Sequence, residues 1–191
     1  MVISMRIEKT AIEGVWIIQN EIYPDQRGTF QEWFQREQFR EITGVDFNPQ
    51  QANSSVSNIG VIRGIHYSTA KVGQAKLVTC MSGQILDVIF DIRIGSKTFG
   101  QHVSIPMRAQ DGTSVYISEG LGHSFISLEE NSNLVYLLSA IYDPQTEHAV
   151  NPLDATLGFR WPLKEVILSK KDAAAPSLDE LYEANILPRM N

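Results

Sequence analysis

The chain has 191 residues and a mass of 21.4 kDa, enough for one domain that buries a core without covalent staples. Its 43% hydrophobic and 20% charged residues exclude a disordered chain. A formal charge of −6 gives no global attraction for nucleic acid or an anionic membrane, and a single cysteine, Cys80, excludes an internal disulfide or a multi-cysteine zinc site. No stretch approaches the ~18 consecutive apolar residues of a membrane span. The segment MVISMRIEKTAIEG lacks the apolar run of a signal peptide, so a cytoplasmic setting is expected. Turn residues are spread evenly, which predicts one domain over residues 1–191. In chain order, a short helix is predicted over 35–42, ended by Gly44. From Lys76 the pattern is of short strands: 76–81, 84–94, 99–107, 113–118, 124–128 and 134–142. Asp111-Gly112, between two alternating runs, reads as a hairpin turn. Leu86, Val88, Phe90 and Ile92 fall on one strand face, with Asp87, Asp91 and Arg93 on the other, while 134–142 is apolar on both faces and so reads as interior. Ser177-x-x-Glu180 after Pro176 is a capping box opening a helix over 177–186. Many short strands at turn spacings of ~8–12 residues predict a mostly β sandwich or jelly roll.

Several chemistries have no residues to stand on. The chain contains no GxxxxGK[ST], GxGxxG or GxSxG pattern. Cys80, within Val78-Thr79-Cys80-Met81, reads as a small buried hydrophobe. From Phe47 to Leu86 there is no Asp or Glu, yet the stretch carries Arg63, Lys71 and Lys76 beside Gln50, Gln51, Asn53, Ser54, Ser55 and Ser57. Cations backed by amides and hydroxyls suit a phosphate group, and a solvated face would look the same in sequence. In Arg63-Gly64-Ile65-His66-Tyr67, a regular strand puts Arg63 and Ile65 on one face and His66 on the other. His66 is then either a structural or a catalytic imidazole. His123 lies where the turn Glu119-Gly120-Leu121-Gly122 enters a strand, and His102 and His148 read as surface positions. A metal-binding jelly roll would need a second imidazole at the strand spacing, but the pattern is His66-x-Ser68 with no Glu following within reach.

One ordered set of motifs narrows these alternatives. Gly60-Val61-Ile62-Arg63-Gly64-Ile65-His66-Tyr67 followed by Gln74-Ala75-Lys76-Leu77-Val78 closely resembles the dTDP-4-dehydrorhamnose 3,5-epimerases. So do Asp25-x-Arg27-Gly28-x-Phe30-x-Glu32, Gln51-x-Asn53-x-Ser55-x-Ser57 and Asp91-Ile92-Arg93 with Gly95-Ser96-x-Thr98-Phe99-Gly100. Glu119-Gly120-Leu121-Gly122-His123, Leu134-Val135-Tyr136 and Leu168-Ser169-x-Lys171-Asp172 complete the series, in the family's order. The resemblance implies a cupin-type jelly roll needing neither metal nor cofactor, a dTDP-sugar substrate, and a homodimer that exchanges N-terminal strands. By it, His66 is the general base, oriented by Asp172, Tyr136 the acid on the opposite face of the sugar, and Lys76 the cation near the 4-keto oxygen. His123 belongs to the same pocket. Arg63, Gln51 and Asn53 would hold the pyrophosphate and sugar. Arg27, Phe30, Glu32 and Tyr142 would frame the nucleotide, the first three by reaching into the neighbouring subunit.

The residue types suit the implied reaction. Hydrogens on C3 and C5 are both α to the C4 ketone, so removing either gives an enolate. Inversion then needs a base on one face and a proton donor on the other. A His near pKa ~6.5 accepts a proton at neutral pH, and a Tyr near ~10 keeps one to give. Ser68, Ile65 and Gly122-His123-Ser124 depart from the commonest family pattern, in ways shared with epimerases of antibiotic deoxysugars. Inversion of one centre or of both therefore stays open. A sugar-nucleotide-binding jelly roll without catalysis is the alternative of another class.

Overall fold

A computed structural model describes residues 5–190; residues 1–4 and Asn191 lie outside the described residues, and with them both ends of the domain expected over 1–191. In chain order the strands are β1 (Met5–Lys9), β2 (Val15–Asn20), β3 (Ile22–Asp25), β4 (Gly28–Gln31), β5 (Gln51–Ser57), β6 (Ile62–Ser68) and β7 (Lys76–Ser82). They continue as β8 (Gln84–Phe90), β9 (His102–Arg108), β10 (Thr113–Ile117), β11 (Gly122–Ser127), β12 (Ser132–Leu138) and β13 (Glu147–Ala149). Helix α1 (Arg36–Thr43) is capped by the Gln35 side chain and ended by Gly44 in the left-handed region, as the pattern predicts. Two short helices, α2 (Lys170–Ala173) and α3 (Leu178–Glu183), lie near the C-terminus. Ser177 and Glu180 form both bonds of the capping box, and α3 stops three residues short of its expected end.

The strands form two antiparallel sheets, one ordered β1-β2-β10-β7-β12-β5 and the other β13-β6-β11-β8-β9. After β7 the chain crosses between them repeatedly, which is the jelly-roll arrangement. The hairpin expected at Asp111-Gly112 is one of these crossings instead. β9 pairs only with β8, β10 pairs with β2 and β7, and a 3₁₀ turn over Ala109–Asp111 carries the chain from one sheet to the other. The dipeptide supplies the left-handed Gly112 a sharp turn needs, but strand twist and burial decide which edge the next strand joins. β1 and β2 extend the six-stranded sheet of the chain itself at one edge. β3 and β4 form a separate two-stranded hairpin outside both sheets.

Alternation along each strand divides the core. Val78, Cys80, Ile85, Ile89, Met107, Val115, Phe125 and Leu134 pack between the sheets. Leu86, Val88, Phe90 and Ile92 face outward together, as their spacing predicts, beneath Leu157, Leu178, Leu181 and Leu187 of the C-terminal segment. Trp16, Phe39, Phe47 and Tyr116 seal the other outer face under α1. Cys80 is buried, and burial pushes its thiol up to about 11, far from a nucleophile's range. The space between the sheets is apolar along most of its length. Where Lys76, Asp87, His66, His123 and Tyr136 replace hydrophobes on inward-facing positions, it becomes a polar cavity.

Candidate active site

This cavity, of about 450 Å³, is lined among others by His66, Lys76, His123, Tyr136, Glu147 and Asp172. His66 and His123 come from the five-stranded sheet, on neighbouring strands and directly opposite one another in register. Lys76 and Tyr136 come from the facing sheet, on the paired strands β7 and β12. An imidazole wall therefore confronts a wall bearing an ammonium and a phenol. The Tyr136 ring packs against the core between the sheets, and its hydroxyl makes no hydrogen bond among the described residues.

Each imidazole is held by a carboxylate. His66 Nε2 lies 2.7 Å from Asp172 Oδ1, and His123 Nε2 lies 2.6 Å from Asp87 Oδ1. The two pairs differ in exposure. The His66 side chain is 38% exposed, open to a ligand, whereas His123 is 9% exposed and Asp87 fully buried. Burial pushes the Asp172 carboxyl up, but hydrogen bonds from His66, Ser169 and the Gly64 amide and the charge of His66 outweigh it, leaving the group below the usual carboxylate range. It stays ionised at neutral pH and accepts the Nε2 proton, so Nδ1 is the nitrogen of His66 left free. Lys76 Nζ donates to the His66 carbonyl at 3.4 Å. Burial lowers its pKa, while the Glu147 and Asp87 carboxylates push in the other direction. Among the described residues, no three His, Cys, Asp or Glu side chains converge as metal ligands.

Arg63 and His66 both line the cavity, contrary to the opposite faces a regular strand would give them. The cause is a bulge. His123 pairs with His66 and Phe125 with Arg63, so three steps along β6 match two along β11 and the alternation flips. Gly64 sits in the bulge with φ +114°, where a Cβ would come 2.5 Å from the His123 carbonyl oxygen. Only glycine lets β6 approach β11 this closely. The Arg63 guanidinium, at the mouth, donates to Ser57 Oγ at 3.1 Å and to the Val56 carbonyl.

The other expected residues divide into two groups. Gln51 and Asn53 are not themselves among the lining residues of the cavity but share the inward face of β5 with Ser55, which is, and Gln51 donates to Asn53 Oδ1 at 2.9 Å. Gln51 Oε1 in turn accepts from the backbone amide of Tyr142, placing that half-exposed ring at the rim. Arg27, Phe30 and Glu32, however, do not line this cavity. Arg27 and Phe30 stand on the β3–β4 hairpin and Glu32 just beyond it, and Phe30 is 63% exposed, with Tyr23 its one aromatic neighbour among the described residues. His148, expected at the surface, is half-buried with its ring stacked on Tyr67. Glu147, Lys171 and Ser169 line the cavity without any signal in the strand patterning, and Asp87 supports it from behind His123. Asp87 alone carried a signal, as an acid on the inward face of an otherwise apolar strand.

A jelly roll whose two sheets present a carboxylate-held imidazole and an opposed phenol across one cavity defines an enzyme built for proton transfer. Comparison with known proteins makes this specific. The family described as dTDP-4-dehydrorhamnose 3,5-epimerase matches residues 9–180. A dTDP-4-dehydrorhamnose 3,5-epimerase of Mycolicibacterium smegmatis is 47% identical over 96% of this chain and 91% of its own length. A dTDP-4-dehydro-6-deoxyglucose 3-epimerase of a Streptomyces species is also 47% identical, over 93% of this chain and 91% of its own. A 4-keto-6-deoxy sugar epimerase from the novobiocin biosynthetic gene cluster of Streptomyces spheroides superposes with a TM-score of 0.95 at 42% identity, covering 97% and 94% of the two chains. The chain belongs to the dTDP-4-dehydrorhamnose 3,5-epimerase family, with its cupin-type fold.

Proposed function

We propose that the protein inverts C3 and C5 of dTDP-4-dehydro-6-deoxy-D-glucose to give dTDP-4-dehydro-L-rhamnose. The observation that carries this reading is the placement of His66 and Tyr136 on opposite sheets of one cavity. His66, through Nδ1, removes the proton α to the ketone. Asp172 holds the imidazole in the tautomer that can accept it and stabilises the imidazolium that forms. The electron pair moves onto the C4 oxygen, where the Lys76 ammonium stabilises the enolate. Tyr136 then protonates the same carbon from the other face, completing the inversion. Arg63 and Lys171, the cations at the mouth, take the diphosphate, with Gln51, Asn53 and Glu147 on the sugar and Tyr142 on the nucleotide. Two such inversions, at C3 and at C5, share one enolate oxygen and hence one Lys76.

The hairpin supports a homodimer in which Arg27, Phe30 and Glu32 complete a neighbouring copy's site, since it stands outside both sheets and none of the three lines the cavity of its own copy. A free, buried Cys80 suits a reducing cytoplasm. None of the helices among the described residues is long and apolar enough to cross a membrane.

A second reading, inversion at C3 alone, is favoured by the Streptomyces 3-epimerase, which matches this chain at the same identity as the 3,5-epimerase. Incubation with dTDP-4-dehydro-6-deoxy-D-glucose in deuterium oxide, followed by NMR of the sugar, decides between them. Deuterium at both C3 and C5 is expected. Label at C3 alone selects the 3-epimerase, and label at neither carbon rejects both readings and leaves a sugar-nucleotide-binding protein without catalysis. In the same assay Tyr136→Phe is expected to keep proton removal while losing net inversion. Washout of substrate label should then outrun product formation by roughly the 10²–10⁴-fold that a positioned acid contributes. Equal loss of both would remove the acid role from Tyr136.

A further inference from the structure

Along the strands the cavity is polar at one end and apolar at the other, and both sheets agree on which end is which. On the six-stranded sheet Leu134 pairs with Cys80, Tyr136 with Val78 and Leu138 with Lys76, so Leu134 and Lys76 stand on opposite sides of Tyr136. On the facing sheet Phe125 pairs with Arg63, His123 with His66 and Glu147 with Ser68, so Phe125 and Glu147 stand on opposite sides of the imidazoles. Each step of two residues keeps a side chain on the same face and moves it roughly 7 Å along the strand. Phe125 and Leu134, 3% and 1% exposed, belong to the core between the sheets and also line the cavity. Lys76 and Glu147 line the other end, where Glu147 Oε1 is buried without a hydrogen-bond partner among the described residues. The hydroxyls of Ser54 and Ser55 belong to the edge strand β5, and that of Ser169 to the segment bridged to Val61, so these three stand on the mouth side with Arg63.

A pyranose held at the mouth by a diphosphate on C1 points C4, the atom opposite, inward. Its two flanks then differ. C2 and C3 carry hydroxyls on one, while the ring oxygen and C5, with its C6 methyl, make the other. We infer that Phe125 and Leu134 form a seat for the C6 methyl group, which fixes how the ring lies between His66 and Tyr136 and selects a 6-deoxy sugar over one that keeps its C6 hydroxyl. Turned half over about the C1–C4 line, the ring would press its hydroxyls against an aromatic ring and an isobutyl group, where nothing bonds them, and would leave Lys76 and Glu147 facing a methyl. The seat also bears on the two inversions. Inverting C3 swings a hydroxyl at the polar end of the cavity. Inverting C5 swings the methyl through the plane of the ring, so it needs clearance between Phe125 and Leu134. In a close-packed wall that clearance sets turnover at C5 apart from turnover at C3.

The inference rests on the epimerase reading, and the experiment separates the two. With dTDP-4-dehydro-6-deoxy-D-glucose and dTDP-4-dehydro-D-glucose compared in deuterium oxide, kcat/KM for exchange at C3 should favour the 6-deoxy sugar by about 10²-fold, the scale on which an apolar pocket rejects one added hydroxyl. Phe125→Tyr keeps the ring and its packing but puts a hydroxyl at the seat, so it should narrow that preference by about tenfold, the worth of one hydrogen bond. Leu134→Phe fills the seat and should slow exchange at C5 about tenfold more than at C3, as overpacking of a core does. Calorimetric binding of dTDP identifies the folded variants, and if Leu134→Phe does not fold, Phe125→Tyr carries the test alone. Equal kcat/KM for the two sugars in the wild type overturns the inference. So does a preference that Phe125→Tyr leaves unchanged, or an unchanged ratio of C5 to C3 exchange in folded Leu134→Phe. If the wild type exchanges at C3 alone, the comparison of the two sugars at C3 decides. Exchange at neither carbon of either sugar overturns the epimerase reading itself, and the seat falls with it.

Discussion

His66→Ala is expected to lower deuterium exchange at C3 and at C5 together by up to about 10⁴-fold, the upper range for a positioned base, while dTDP binds as before. Both positions should fall together because His66 is the more exposed of the two imidazoles in the cavity. His123, directly across the strand pair, is held by a fully buried Asp87 and has little room to approach a ring carbon. The fold should tolerate the change. His66 is only half-buried, and its neighbours Ile65 and Tyr67 supply the packing on the outward face of β6. The loss does leave the Asp172 carboxylate buried without its imidazole partner. A fall in Tm is therefore expected alongside the loss of exchange, and calorimetric titration with dTDP distinguishes a dead site from an unfolded one. Exchange surviving at either carbon in a folded His66→Ala protein would move the base for that carbon to another residue, with His123 next in line.

Much of this site is visible in the sequence, and the parts that are not have identifiable causes. Strands from β7 onward follow the alternation of Leu86, Val88, Phe90 and Ile92 and of Leu134, Tyr136 and Leu138, because each has at least one face in a core. β5 escapes such a reading. It is an edge strand whose inward face carries Gln51, Asn53, Ser55 and Ser57, so its polarity reflects the cavity and not the core. The acid-free stretch pointed to the right walls, since Arg63 and Lys76 both line the cavity, but Lys71 lies outside it. The faces of β6 went wrong for one reason: a bulge adds a residue to a strand without changing its composition, and only the φ of Gly64 betrays it. Asp172 lies 106 positions from His66, and no periodicity spans that distance. Its place came through the family's motif, whereas Glu147, opposite Ser68 on the short strand β13, had no motif to mark it.

Lys76→Met should remove the charge that makes an enolate affordable in this cavity, and exchange at both carbons should fall by about 10²–10³-fold, or roughly 2.7–4 kcal/mol. Lys76 is 7% exposed, its ammonium held by the His66 carbonyl and facing the charges of the Asp87 and Glu147 carboxylates. In so dry a setting its attraction for a developing oxyanion is far less screened than in water. Methionine keeps the length and the packing of the stem but leaves those two carboxylates without the ammonium between them, one oxygen of each already without a hydrogen-bond partner. The variant should therefore lose stability as well, by an amount read from its Tm, and the total loss in the double variant with Glu147→Gln should be smaller than the sum of the two single losses. Lys76→Arg restores charge in a planar fork too long for the same space, so it should recover stability better than rate. The decisive comparison is with Tyr136→Phe: loss of the phenol spares proton removal, whereas loss of the ammonium strikes the enolate before any proton is returned. If Lys76→Met exchanged deuterium at the wild-type rate while binding dTDP, the C4 oxygen would have to lie against the His123 wall, and the sugar would sit in the cavity turned about its long axis.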